Sequence, residues 1–310
     1  MVKSIPETAL VTGGAGFIGS HLCEALLKEG KRVRILDNLS SGKWENLGKI
    51  ASQTELIVGD IRDKTDVYAA VKGAAKVFHL AGLASVHMSQ EDPALCLAIN
   101  GMGTLNVLEA CAYHKVQRLV YASTSAVYGD LPGPHDEAQV PKPNTPYAAV
   151  KLLGENLALF FEEQKGLRTI SLRYFNVYGP RQSPKGPDSG VIPLFVLAGK
   201  KGEAPQVYGD GKQTRDFINV RDAVRAAILA SEAKMARGVY NIGTGVAVTI
   251  ETLLETLSEV MGGLKAPQYL PARPGDTLHS WAAMERAKKD LAFNPEISLP
   301  LGLKEVLKAF

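Results

Sequence analysis

The chain has 310 residues, 45% of them hydrophobic and 22% charged, with a formal net charge of +3. That length is too great for one small core, so one large α/β domain or two fused domains is expected. The Lys and Arg are scattered rather than gathered into arms or stripes, so nucleic acid is not the expected partner, while a few well-placed Arg suffice for small phosphates.

Cys23, Cys96 and Cys111 form an odd set without CxxC spacing and read as buried, reduced thiols. No basic and apolar leader opens the chain, and no apolar run reads as long enough to cross a bilayer. A cytoplasmic protein with no membrane partner is the expectation.

From Thr8 to Leu10 a short apolar strand runs into Gly13, Gly14, Gly16 and Gly19, followed by an amphipathic stretch from Ile18 to Glu29 that Gly30 stops. Strands follow at Arg32 to Leu36, ending on Asp37, and at Glu55 to Val58, ending on Gly59 and Asp60. A fourth strand, Ala75 to Leu80, leads into Ala81 and Gly82, then a helix from about Pro93 to His114 and a fifth strand, Arg118 to Ser123. Strands and helices alternating on this spacing need crossover connections, so a parallel, doubly wound sheet follows.

The stretch from Leu131 to Pro146 carries five prolines and no periodicity, a connection long enough to suggest function. A helix from Tyr147 to Gln164 and a strand from Thr169 to Tyr174 follow; beyond Gly179 the regularity fails. Pro180 to Pro193 reads as a loop, and the rest as short strands, loops and two helices, Val220 to Ser231 and Ile250 to Met261. The expected architecture is α/β, a doubly wound parallel Rossmann sheet over residues 1–175 with a smaller mixed α/β substrate-binding lobe over 176–310. Segments around 214–245 are expected to return to the main domain.

The spacing Gly14-Ala-Gly16-Phe-Ile-Gly19 satisfies the dinucleotide fingerprint, with a strand before it and a helix after. Glycine is required there because the backbone turns sharply, approaches a pyrophosphate closely and packs a helix on the first strand. An acidic residue at the end of the second strand, Asp37, would accept from the ribose hydroxyls and repel a phosphate, favouring NAD over NADP.

Tyr147 and Lys151 stand one helical turn apart on one face. A phenol keeps its proton to about pH 10, so a neighbouring cation is needed to make it a base. Ser123-Thr124-Ser125 supply hydroxyls at the carboxyl end of the fifth strand, where open α/β sheets bind ligands.

These motifs, with Asp60-Ile61, Leu80-Ala81-Gly82, Asn100, Arg173-Tyr-Phe-Asn176 and Arg215-Asp216-Phe217, fall in the order of the extended short-chain dehydrogenase/reductases, which the whole chain resembles. The resemblance implies that NAD is bound by Gly13, Gly16, Phe17, Ile18, Gly19, Asp37, Asn38, Ser41, Gly42, Asp60, Ile61, Leu80, Ala81, Gly82, Asn100, Ser123, Tyr147, Lys151, Tyr174 and Val177. It implies that Thr124 hydrogen-bonds the sugar's 4-OH, that Tyr147 takes its proton as hydride passes from C4 to NAD, and that Lys151 binds the nicotinamide ribose. The substrate positions it implies are Ser85, Thr124, Ser125, Asn176, Val191, Gln206, Val207, Tyr208, Arg215, Arg273, Asp276 and Ser280, with Arg215 and Arg273 clamping a diphosphate.

Among sugar-nucleotide members, 4,6-dehydratases carry Asp and Glu after the Thr, and the decarboxylases keep a Glu where Ala126 stands; here Ser125 and Ala126 offer no carboxylate. The resemblance therefore implies a UDP-hexose 4-epimerase, which oxidises C4, turns the ketose about its diphosphate link and reduces it again. A small residue at Ser280 implies room for an N-acetyl group, whereas Ala84 departs from the Lys that some UDP-galactose epimerases carry there. Rival readings are epimerisation of UDP-glucuronate, with Arg181 as a candidate carboxylate partner, a CDP- or GDP-sugar epimerase, and a non-catalytic NAD sensor. A homodimer paired through the helices containing Asn100 to His114 and Tyr147 to Gln164 is expected. His21, His79, His87, His114 and His135 lack the spacing of a metal site.

Overall fold

The computed structural model describes residues 7–184, 189–272 and 277–310. Seven strands form one sheet: β1 (Thr8–Thr12), β2 (Arg32–Asp37), β3 (Thr54–Val58), β4 (Lys76–His79), β5 (Arg118–Thr124), β6 (Thr169–Tyr174) and β7 (Gly238–Ile242). Their order is β7-β6-β5-β4-β1-β2-β3, and every neighbouring pair is parallel. The order reverses between β1 and β4, and the crevice at such a reversal is where open α/β sheets take their ligands.

Alternate residues of each strand enter different cores. Ala9 and Val11 of β1 join Val33 and Ile35 of β2 under the helices Phe17–Lys28 and Val220–Glu232. Leu10 and Leu36 face the other way, onto Val67, Val107, Leu108 and Phe161. This period-two division buries both faces of the sheet, as parallel sheets require.

The helix read from about Pro93 to His114 runs from Pro93 to Tyr113 but widens into a π-helical stretch at Leu97–Met102. At 21 residues it is long and apolar enough to span a membrane by composition, contrary to the sequence expectation, yet 56% of its apolar window is buried inside the fold. Its apolarity belongs to the packing against the sheet and the helix Pro146–Lys165.

The smaller lobe packs helices Val191–Lys201, Ile250–Met261 and Leu299–Ala309 around Phe195, Leu253, Leu257 and Leu303. The first of these begins inside the stretch read as loop. Pro193 sits in its first turn, where a missing N–H costs nothing, so the proline did not mark an irregular segment. Within the lobe Thr214–Arg215 pairs with Val248–Thr249 on one side and His279–Ser280 on the other, and Gln206–Tyr208 pairs with Gln268–Leu270.

Candidate active site

The turn after β1 is built from glycine for steric reasons. Gly13 has φ +71°, and a Cβ there would lie 2.8 Å from the Ala81 nitrogen, while a Cβ on Gly19 would lie 2.1 Å from the Gly13 carbonyl oxygen. Gly16 caps the helix Phe17–Lys28 without any side-chain hydrogen bond, so Phe17, Ile18 and their neighbours present open N–H groups at its positive end. These features fit a dinucleotide pyrophosphate.

Asp37, at the end of β2, is 7% exposed; one carboxylate oxygen accepts from the Ala15 N–H at 2.9 Å and the other from Leu39 at 2.8 Å. Gly42 folds over it so closely that a Cβ would stand 2.9 Å from both carboxylate oxygens, with the exposed Ser41 beside it. Asp60 takes both a two-pronged contact from Arg62, at 3.0 and 2.7 Å, and the Asn38 amide at 3.0 Å. Those hydrogen bonds, Arg62 first, hold its carboxyl well below the usual range. The neighbouring Ile61 is buried.

Leu80, Ala81 and Gly82 leave β4 toward the same crevice. The Ala81 N–H donates to Thr12 Oγ1 at 3.2 Å, and Asn100, from the π-helical stretch, accepts from Leu83 N–H at 2.8 Å and donates to its carbonyl at 2.9 Å. Beneath them His79 joins Thr12 and Thr104 at 2.8 and 3.0 Å; burial above all, then the charge of Lys151, pushes its imidazole down to about 3, so it is neutral.

Thr124 ends β5, and its hydroxyl accepts from the Ala126 N–H at 3.1 Å, turning the chain through Ser125. Tyr147 opens the helix Pro146–Lys165 one residue after its N1 proline; Thr145 caps that helix, and Ser89 Oγ accepts the Tyr147 N–H at 3.2 Å. Lys151, one turn on and 7% exposed, places its Nζ 4.5 Å from the centroid of the Tyr121 ring. Burial pushes the Lys151 amine down to about 8, opposed by the charge of Glu155.

Ser123 donates to the Glu155 carboxylate, which also binds Arg173 at 2.9 and 2.7 Å. Tyr174 is buried in the core beside β6, its hydroxyl directed at the Ala223 carbonyl at 3.5 Å. Val177 is half-buried in Asn176–Tyr178, which pairs with Phe217–Asn219.

The substrate positions lie around the lobe. Ser85 caps the helix Val86–Glu91 by accepting the Met88 N–H at 2.9 Å, and Val191 opens its helix after Gly190. Asn176 is exposed, as is Gln206; Val207 is buried and Tyr208 half-buried. Arg215 and Ser280 stand opposite each other in register, Ser280 being 8% exposed. Arg273 and Asp276 lie outside the described residues. Arg181 is not turned to this site: its guanidinium binds Glu24 at 2.7 Å and Ser20 at 3.2 Å on the helix Phe17–Lys28.

Three residues escaped the sequence reading as participants. Glu155 continues the spacing of four set by Tyr147 and Lys151, a signal that was available. Asp216, fully buried, accepts from Thr244 N–H and Oγ1–H at 2.7 and 2.6 Å, from Gly245 at 2.9 Å and from Ala282 at 3.2 Å, donors more than 25 residues away that no local pattern announces. Tyr121 reads as an ordinary strand residue.

Residues 9–243 match the NAD dependent epimerase/dehydratase family. The chain belongs to that family. It is accordingly an NAD-using enzyme, and its glycine turn, uncapped helix terminus and Asp37 suit that cofactor. Over 96% of both chains it is 37% identical to a putative UDP-glucose 4-epimerase of Methanocaldococcus jannaschii. Among solved structures it is similar to the UDP-N-acetylglucosamine 4-epimerase of Methanobrevibacter ruminantium in complex with UDP-N-acetylmuramic acid, with 39% identity, 98% coverage of both chains and a TM-score of 0.94. It is also similar to the UDP-glucose 4-epimerase of Thermotoga maritima with UDP-glucose, at 38% identity, 97% and 98% coverage and a TM-score of 0.92.

Proposed function

We propose that this family member is a UDP-hexose 4-epimerase, acting on UDP-glucose and UDP-galactose and admitting their N-acetyl forms. What carries the reading is the turn Thr124-Ser125-Ala126, which sets hydroxyls and a methyl at the positions where the resemblance to dehydratases and decarboxylases would put a carboxylate. Glu155, the buried carboxylate on the helix of Tyr147 and Lys151, is committed to Arg173 and Ser123 and offers no substitute.

Gly13, Gly16, Gly19 and Asp37 would hold NAD, which when bound would supply the acceptor and donor of hydride for the sugar's C4. Thr124 orients the 4-OH, Tyr147 holds and returns its proton, and Lys151 supplies the positive charge that favours the phenolate. Arg215 holds the diphosphate end, and Arg273 is assigned the same task from the family pattern. The domain division assigned is NAD to residues 1–175 and UDP-sugar to 176–310, with β7 and its preceding helix belonging to the first.

The UDP-glucuronate reading loses its proposed carboxylate partner, because Arg181 is paired with Glu24. A homodimer is supported by Leu97, Met102, Leu153 and Phe160, which leave apolar side chains 46, 51, 39 and 50% exposed on the two outer helices. Purified protein given UDP-galactose or UDP-N-acetylgalactosamine without added reductant should yield the C4 epimer by nuclear magnetic resonance. Net NADH accumulation or loss of a carboxyl group overturns the reading.

A further inference from the structure

Lys151 is a cation on the buried side of its helix, where burial works against its charge. Glu155, one turn further on the same helix, opposes that cost but shares its carboxylate with the two-pronged contact of Arg173 from β6. From β4 comes the neutral His79; from the segment Pro93–Cys96 comes Cys96, whose thiol burial pushes up; Tyr147 lies one turn back on the helix itself.

The direct contact comes from β5. Tyr121, 1% exposed, lays its ring under the ammonium with Nζ 4.5 Å from the centroid. Its hydroxyl donates to the main-chain oxygen of the same lysine at 3.4 Å. Gly154 makes the space: a Cβ there would lie 2.3 Å from that hydroxyl. The ring is therefore fixed in position relative to Lys151 by a hydrogen bond at its rim and by a helix notch beneath it.

We propose that Tyr121 is a positioning residue for Lys151, its ring face holding the ammonium in place and in its charged form while Tyr147 works. The negative face of an aromatic ring favours a desolvated cation over the neutral amine. Phenylalanine presents the same face and leucine does not, so the two substitutions separate the ring from the hydroxyl. The inference rests on the epimerase reading for its kinetic arm only.

The test is a pH titration of wild type, Y121F and Y121L, read two ways. The Lys151 ε-carbon shift in 13C-lysine-labelled protein without substrate reports the amine itself; the alkaline limb of kcat/KM for UDP-galactose reports its use. Y121F should titrate with wild type in both. Y121L should move both down by about one pH unit, so that its kcat/KM falls roughly three- to tenfold further at pH 9 than at pH 7. A merely structural role would lower activity evenly across pH. Coincidence of Y121L with wild type, or a Y121F shift as large as that of Y121L, overturns the proposal. Should Y121L fail to fold, Y121M, unbranched and able to fill an irregular gap without an aromatic face, is titrated in its place. If wild type turns over no UDP-hexose the epimerase reading fails, while the carbon titration still decides the role of Tyr121.

Discussion

Glu155 and Arg173 form a two-pronged ion pair, 5% and 3% exposed, that ties the helix of Tyr147 and Lys151 to β6. The guanidinium also lies 4.8 Å from the centroid of the Tyr128 ring, whose hydroxyl donates to Asn241 on β7 at 2.7 Å. One pair thus links the helix Pro146–Lys165 with the strand that completes the sheet.

Removing one partner strands the other charge in the core. R173L should lower unfolding free energy by about 3–5 kcal/mol, whereas the double variant E155L/R173L, which removes both charges, should recover much of that loss. Urea denaturation of the single and double variants checks this; equal losses would show that packing, not charge, dominates.

Lys151 is expected to cost stability where it serves function. Its amine, near 8 in the folded protein, lies below the ~10.4 of an unfolded lysine. The unfolded chain therefore binds the extra proton between those values, so the cost is fully present below pH 8 and relieved as pH rises toward 10.4. K151M should be inactive yet more stable than wild type by roughly 1–3 kcal/mol at pH 7, with the gain shrinking above pH 8. Melting curves at pH 7 and pH 10 read both the sign and the trend.

The glycine turn makes a steric prediction. A methyl on Gly19 would meet the Gly13 carbonyl oxygen at 2.1 Å, forcing the first turn of the helix Phe17–Lys28 away from β1. G19A should fold with reduced stability and lose at least about tenfold in NAD affinity, since the helix N–H groups no longer reach the pyrophosphate position. Isothermal titration with NAD measures it, and unchanged affinity would place the dinucleotide elsewhere.

Sugar choice should follow Ser280, which faces Arg215 across a two-residue strand pair whose outer end is tied to Asp216 through the Ala282 N–H. S280Y should cut kcat/KM for UDP-N-acetylgalactosamine about tenfold or more relative to UDP-galactose, because the ring takes the space of an acetamido group. An unchanged ratio removes Ser280 from the sugar pocket.

The sequence by itself determined what short-range periodicity and local sterics determine. Short apolar runs with helical spacing between them made β1 to β6 legible, and the need for glycine at a sharp turn marked the cradle. A spacing of four put Tyr147 and Lys151 on one face, and that spacing continues to Glu155. Only the tertiary structure decided which distant groups meet: Tyr121 beneath Lys151, Asp216 gathering donors from residues 244, 245 and 282, Arg181 drawn to Glu24. The reason is physical. A buried charge takes whatever dipoles, donors or rings the packed chain brings to it, and that choice is set by crossovers and packing between elements tens of residues apart, where no local repeat records it.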